Sequence, residues 1–465
     1  MTRSAGFTRR QLLEAAAGLS AGLALSPALA KAAEHATQRR QWRNWGGNLT
    51  ASPAQILAPQ SEDEVVDILR NTKGGIRPVG SGHSWSGLVP TDETIVTLDR
   101  LSGLVDHNPD TLQAEVLGGT KLFAYGPLVE DVGQAIVNMS DINYQTMAGA
   151  VATSTHGTGR DLGSMSSYVV GMQLVTPAGE LIECRKDKNA DLLRAACNGL
   201  GALGIVTRLR FQNREAHRLH QKTWMADLDE TLEDIDSLNN SNQQMELFPF
   251  PNSSRTLVVT TNEAAPGEPD RIHEDPNALL ELNEAFQSIS KVPLIDEFLY
   301  NSALDYEMSE TEHRVGPSYK VLAHIRAIPF MEMEYTVPAA LGADCLREVM
   351  AVIKKKAPDV CFPLEYRYIK ADDTLIGMFS EQDGCAISVH QFADNPNWRD
   401  YLSVIEPVFW KYGGRPHWGK WHSLGARELA SLYPHWNAFK TLRRDMDPSG
   451  RMLNDHLRFV LGEAG

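Results

Sequence analysis

Cysteine is scarce in this chain. Its five residues, Cys184, Cys197, Cys345, Cys361 and Cys385, form no C-x-x-C pair and leave an odd number. Neither a zinc site nor a disulfide framework is indicated, and buried free thiols are expected, although export would permit one or two bridges. Positive charge is short as well: 44 Lys and Arg stand against 59 Asp and Glu, a formal charge of −15. An acidic surface disfavours nucleic acid and anionic membrane as partners, which leaves a small neutral or cationic molecule as the better guest. The Ala/Gly/Leu-rich run near the N-terminus is too short and too weakly apolar to cross a membrane, so no span is expected in the mature chain.

What is present is ordinary globular protein. A chain of 465 residues, 42% hydrophobic and 22% charged, is long enough for two or three domains. Thr8-Arg9-Arg10-Gln11-Leu12-Leu13 opens a small-residue run ending at Ala28-Leu29-Ala30, which matches a twin-arginine export signal over residues 1–30. The mature protein is therefore expected to be periplasmic or exported, and export in the folded state favours a flavin, pterin or metal protein.

Three glycine-rich stretches carry the chemistry. In Ile76-Arg77-Pro78-Val79-Gly80-Ser81-Gly82-His83-Ser84-Trp85 a short apolar strand runs into two glycines and a histidine, a turn whose exposed N–H groups suit a pyrophosphate. A capping box, Ser61 with Glu64, opens the helix before it. Thr146-Met147-Ala148-Gly149-Ala150-Val151-Ala152-Thr153-Ser154-Thr155-His156-Gly157-Thr158-Gly159 excludes bulk and supplies hydroxyl donors. Gly201-Ala202-Leu203-Gly204-Ile205-Val206-Thr207 feeds glycines into a strand. Strand-like runs at 94–98, 113–117 and 134–139, a helical pattern from Leu122 to Val132, a hairpin around Pro177-Ala178-Gly179 and a helix over 190–197 complete an alternation that indicates an α/β layer structure.

Together these stretches resemble the three FAD-contacting elements of the vanillyl-alcohol-oxidase flavoprotein superfamily, and within it the aldonolactone oxidoreductases and their alditol oxidase relatives. The resemblance implies an α+β protein: a two-subdomain α/β FAD-binding domain over 38–215, a substrate domain with an antiparallel sheet flanked by helices over 216–445, and a segment over 446–465 returning to the FAD domain. The cofactor contacts it implies are Val79, Gly80, Ser81, Gly82, His83 and Ser84 in the first loop, then Ser140, Asp141, Thr146, Gly149, Ala152, Thr153 and His156, and finally Gly204 and Ile205. In the family the first-loop histidine bonds to the flavin 8α-methyl carbon, so a covalent link through His83 is expected. Tyr is usual in the family's closing segment where His456 stands, so no role is carried to His456.

In the second half, strand-like segments at 245–250, 255–261, 331–337, 362–369 and 386–392 and a helix over 398–411 fit the substrate domain. The acidic runs at 227–236 and 263–274 read as solvated helix faces and loops. Glu365-Tyr366-Arg367 puts a carboxylate and a guanidinium on one strand face, ordinarily an exposed ion pair. The resemblance places a Glu-x-Arg pair at the substrate side of the flavin, and His417-Trp418-Gly419-Lys420 matches the family's His-Trp-x-Lys motif. It implies that Glu365 positions a substrate hydroxyl while Arg367 and Lys420 stabilise the developing alkoxide and the flavin anion. Which of the three takes the proton stays open, a Lys with a depressed pKa serving as well as the carboxylate.

The implied reaction is hydride transfer from the carbinol carbon of a sugar 1,4-lactone (gulono, galactono or arabinono type), with an alditol or other polyol as the alternative substrate. A flavin-bearing electron carrier without turnover is the second class. Oxygen, a quinone or a cytochrome would take the electrons. Ser140 aligns where the family's oxidases commonly carry Gly and its plant dehydrogenases Ala, which favours poor oxygen reactivity.

Overall fold

The computed structural model describes residues 41–272, 297–324 and 329–464. The export signal expected over 1–30 lies outside the described residues, as does the end of the acidic run at 263–274. Among the described residues, no helix is long and apolar enough to cross a membrane.

The first layer grows from the helix Glu62–Asn71. Ser61 Oγ accepts from the Glu64 amide at 3.2 Å, and the Glu64 carboxylate accepts in return from the Gln60 amide at 2.7 Å, one residue earlier than in a standard capping box. Val65 and Leu69, four residues apart, form the buried stripe. They pack with Ile76, Val96, Val175, Ile205 and Met452. Beside this helix, Gln55–Leu57, Thr94–Thr97 and Ile76–Val79 make a three-stranded parallel sheet with Thr94–Thr97 in the middle.

The neighbouring sheet has five antiparallel strands in the order Leu181–Arg185, Val169–Val175, Ile205–Gln212, Gln113–Leu117, Leu104–Asn108. The expected α/β alternation thus holds for the small parallel sheet, while hairpins build the larger one. The strand expected over 134–139 is confined to Gln134–Ala135. Beyond it the chain is held by side chains: Asn138 donates to the Gly163 carbonyl at 3.0 Å and accepts from Gln244 at 3.1 Å.

The second half is built on eight antiparallel strands, ordered Glu312–Pro317, Arg218–Asp227, Arg255–Glu263, Gln244–Pro249, Glu365–Ile369, Gly384–Phe392, Phe330–Pro338, Arg415–Pro416. The helices Gly342–Lys356 and Trp398–Lys411 pack on its Phe330–Pro338 and Gly384–Phe392 strands and on each other. The acidic run that begins at Asp227 is not one solvated face. Asp227 ends a strand and caps the helix Leu228–Glu233, its carboxylate accepting from the Asp229 amide at 3.0 Å.

The chain's last segment lies against the first layer. The Ile76 amide donates to the Arg451 carbonyl at 2.8 Å, and the Arg451 guanidinium donates to the carbonyls of Leu69 at 2.8 Å and Pro177 at 3.0 Å. Arg77, fully buried, spends its donors on the carbonyls of Leu88, Leu200, Gly201 and Met452, which ties the first and third glycine stretches to that tail. All five cysteines are buried, and no disulfide joins any of them.

Candidate active site

A cavity of about 330 Å³ opens between the glycine stretches and the eight-stranded sheet. Every residue expected to contact the cofactor, from Val79 to Ile205, lines it, as do Glu365, Arg367 and Lys420. Gly82 turns the first loop at φ +65°, and Gly204 at φ +141° brings its Cα so close to the Val175 carbonyl that a Cβ would sit 2.3 Å from that oxygen. His83 follows the first turn. Its ring stacks on Trp45 with centroids 4.3 Å apart and 17° between planes, and meets Trp85 edge-on at 5.4 Å. Its Nε2 is buried with no hydrogen-bond partner in the protein. Burial pushes the imidazole down to about 4, so it is neutral at pH 7. A neutral imidazole with an unpartnered ring nitrogen, in the wall of a cavity lined by glycines, small residues and hydroxyls, fits a bound FAD.

The opposite wall carries charge. In the antiparallel register Glu332 faces His390, Glu334 faces Ser388, and Ser388 faces Glu365 on the next strand, so these side chains share one face of the sheet. Arg367 joins them two residues from Glu365. The Arg367 Nη2 donates to Glu334 at 2.6 Å and lies 2.9 Å from a Glu365 oxygen. Ser388 Oγ donates to Glu334 at 2.6 Å, and His156 meets the other Glu334 oxygen at 2.7 Å. Lys420 Nζ donates to both Glu332 and Glu334, the latter at 2.8 Å. Its loop is stitched along the strand of the glutamates, His417 N to Glu334 O at 2.9 Å and Trp421 N to Glu332 O at 3.0 Å. The Trp85 amide donates to the Gly419 carbonyl at 2.7 Å, which fixes this loop beside the one carrying His83.

Electrostatics sort these groups. Burial works against ionising Glu334, but Lys420, His156 and Arg367 outweigh it and hold its carboxyl well below the usual range. Glu332 is held down in the same way, against burial, by Lys420, and by the His390 ring when that is protonated. Lys420, for its part, is raised: burial opposes its charge, and Glu332 and Glu334 overcome that. The depressed lysine considered from the sequence is therefore corrected; Lys420 is a committed cation that can donate but not accept a proton. Arg367 is likewise raised by Glu365 and Glu334 against burial. Glu365 and Arg367 are almost fully buried, so the exposed-pair explanation of their spacing fails. His417, pushed to about 3 mainly by burial, is neutral and accepts from the Gly419 amide at 3.0 Å.

Sequence reasoning did not single out Glu332, Glu334 or His390. The signal was there for the glutamates, two acids two residues apart inside an otherwise apolar strand. Among the expected cofactor contacts, Asp141 pairs with His324 at 2.5 Å, and Ser140 Oγ donates to the Ile142 carbonyl at 2.7 Å.

The fold and this site define a flavoprotein: residues 53–185 match the family described as FAD binding domain. Residues 209–460 match the family described as D-arabinono-1,4-lactone oxidase. The chain is 32% identical to the L-gulono-1,4-lactone dehydrogenase of Mycobacterium tuberculosis, covering 90% of this chain and 99% of that protein. It is 24% identical to the L-gulonolactone oxidase of Mus musculus over 92% of this chain and 99% of that one. Among solved structures, cholesterol oxidase from B. sterolicum superimposes with a TM-score of 0.76 at 14% identity, covering 90% and 96% of the two chains, a likeness of fold. The chain belongs to the D-arabinono-1,4-lactone oxidase family within the vanillyl-alcohol-oxidase superfamily, and is an FAD-dependent oxidoreductase acting on CH–OH donors.

Proposed function

We propose that the protein oxidises a sugar 1,4-lactone at a carbinol carbon, with FAD held covalently through His83. The observation that carries this reading is the pairing of two walls: glycine loops around a bare His83 nitrogen on one, and Arg367 and Lys420 among carboxylates on the other. Bound flavin supplies a two-electron, hydride-accepting ring. The protein does the rest. Glu365, fixed by Arg367, orients the substrate hydroxyl; Arg367 and the protonated Lys420 stabilise negative charge as it develops on the substrate oxygen. Lys420 has three N–H donors and gives two of them to Glu332 and Glu334, so one remains for the cavity. The cavity's aromatic residues, Phe330 and Phe362 among them, keep water from the reacting carbon.

Residues 1–30 read as a twin-arginine signal and support a periplasmic or exported location, where quinones and cytochromes can take electrons. The Cβ of Ser140, held by its bond to Ile142, supports slow access of oxygen and hence a dehydrogenase. Anaerobic mixing with a panel of aldono-1,4-lactones and polyols, read as loss of flavin absorbance, tests the function. Bleaching by a lactone ahead of every polyol supports the reading. Bleaching by polyols alone makes the enzyme an alditol oxidoreductase, and none at all leaves an electron carrier.

A further inference from the structure

We infer that His390 is the general base of this oxidation, its Nε2 receiving the hydroxyl proton as the hydride leaves the same carbon. The inference rests on the function proposed above. His390 lines the cavity on the strand Gly384–Phe392, directly opposite Glu332 in the register. Its Nδ1 lies 2.9 Å from the Pro363 carbonyl. A carbonyl only accepts, so Nδ1 carries a hydrogen, and in the neutral tautomer that leaves the lone pair on Nε2. Phe330, at 5.4 Å and 83°, and Phe362, at 5.2 Å and 32°, hold the ring in that orientation.

Nε2 stands 3.4 Å from Glu332 Oε1, and one carboxylate oxygen each of Glu332 and Glu365 and a ring nitrogen of His390 all lie within 4.8 Å of one another. Two carboxylates at that range stabilise the imidazolium once the proton arrives. The charged groups around the ring are Glu332 on one neighbouring strand, Glu365 and Arg367 on the other, and Glu334 and Lys420 beyond them. The alternatives are engaged: Lys420 is already protonated, Glu365 Oε2 accepts from Arg367, and Glu332 accepts from Lys420. The step balances. The C–H bond breaks and its electron pair leaves as hydride to the flavin, the O–H bond breaks and its proton goes to Nε2, and the C=O double bond forms.

His390→Asn in the holoenzyme keeps a donor where Nδ1 sits and removes Nε2. Flavin reduction should fall about a hundredfold or more, the scale of a lost general base, with substrate affinity little changed. The acid limb of the rate's pH profile should vanish, and added imidazole should restore part of the rate. A slower variant that keeps its acid limb and ignores imidazole would mark His390 as structural and overturn the assignment. Nitrogen NMR of the histidine-labelled holoenzyme reads the tautomer without any substrate: a bare Nε2 with protonated Nδ1 is expected, and an Nε2 that stays protonated across the active pH range contradicts it. If wild type and His390→Asn are reduced equally fast, the base assignment alone falls. If no lactone or polyol reduces the wild type, the functional reading falls and the base with it.

Discussion

Lys420 Nζ lies 2.8 Å from Glu334 Oε2, and the Glu334 side chain is wholly withdrawn from water. That carboxylate is also the acceptor for Arg367, Ser388 and His156. Glu334→Gln therefore leaves two buried cations short of a partner. Breaking a buried pair from one side costs about 3–5 kcal/mol, so the variant should lose stability on that scale in urea or thermal unfolding. Unfolding within 0.5 kcal/mol of wild type (about the spread of neutral substitutions) would contradict the arrangement.

His422 and His456 predict how stability follows pH. His422 is buried and His456 half-buried, with their rings 6.3 Å apart. Burial, with the nearby His456, pushes His422 to about 3, and burial, with Arg77, pushes His456 to about 4. Unfolded, each binds a proton below about pH 6.5. Between that value and the folded ones the unfolded state holds more protons, so stability falls as pH drops, by up to about 1.4 kcal/mol per pH unit for each group. Urea midpoints from pH 7 to 4 should decline, and His456→Phe should flatten the decline by one group's share. An unchanged slope in that variant would show that His456 titrates normally in the fold.

For His83 the prediction is chemical. Acid-precipitated protein should stay yellow, and His83→Ala should release its flavin under the same treatment. Free FAD in the wild-type supernatant would rule out the bond.

The three glycine stretches were legible because what they need is small side chains and unusual backbone, and both are written in residue type. Glu365 and Arg367 were legible by their two-residue spacing, which fixes a common face. What stayed hidden depends on register. That Glu332 meets His390 and Glu334 meets Ser388 follows from which strands pair across a gap of more than 50 residues, and no local pattern carries it. The strand Arg218–Asp227 was missed for another reason: its Arg, His, Gln and Lys residues leave it without an apolar alternation.

Ser140 makes a prediction about the electron acceptor. Substrate-reduced enzyme should reoxidise slowly in air-saturated buffer and quickly with a quinone or cytochrome c. Ser140→Gly should speed the reaction with oxygen by about tenfold, a barrier change of about 1.4 kcal/mol. Fast reoxidation by oxygen that is unchanged in the variant would show that Ser140 gates nothing.

The central claim is that cations fixed on the sheet wall act on the substrate oxygen, and Arg367→Lys addresses it most directly. The substitution keeps the charge beside Glu334 and Glu365 but loses the guanidinium's forked donors. With flavin content verified, anaerobic stopped-flow reduction by the best lactone should slow about a hundredfold or more, the scale of one lost charge-stabilising donor, while the flavin spectrum stays that of wild type. Reduction at the wild-type rate would contradict the claim and return Glu365 and Arg367 to a purely structural ion pair.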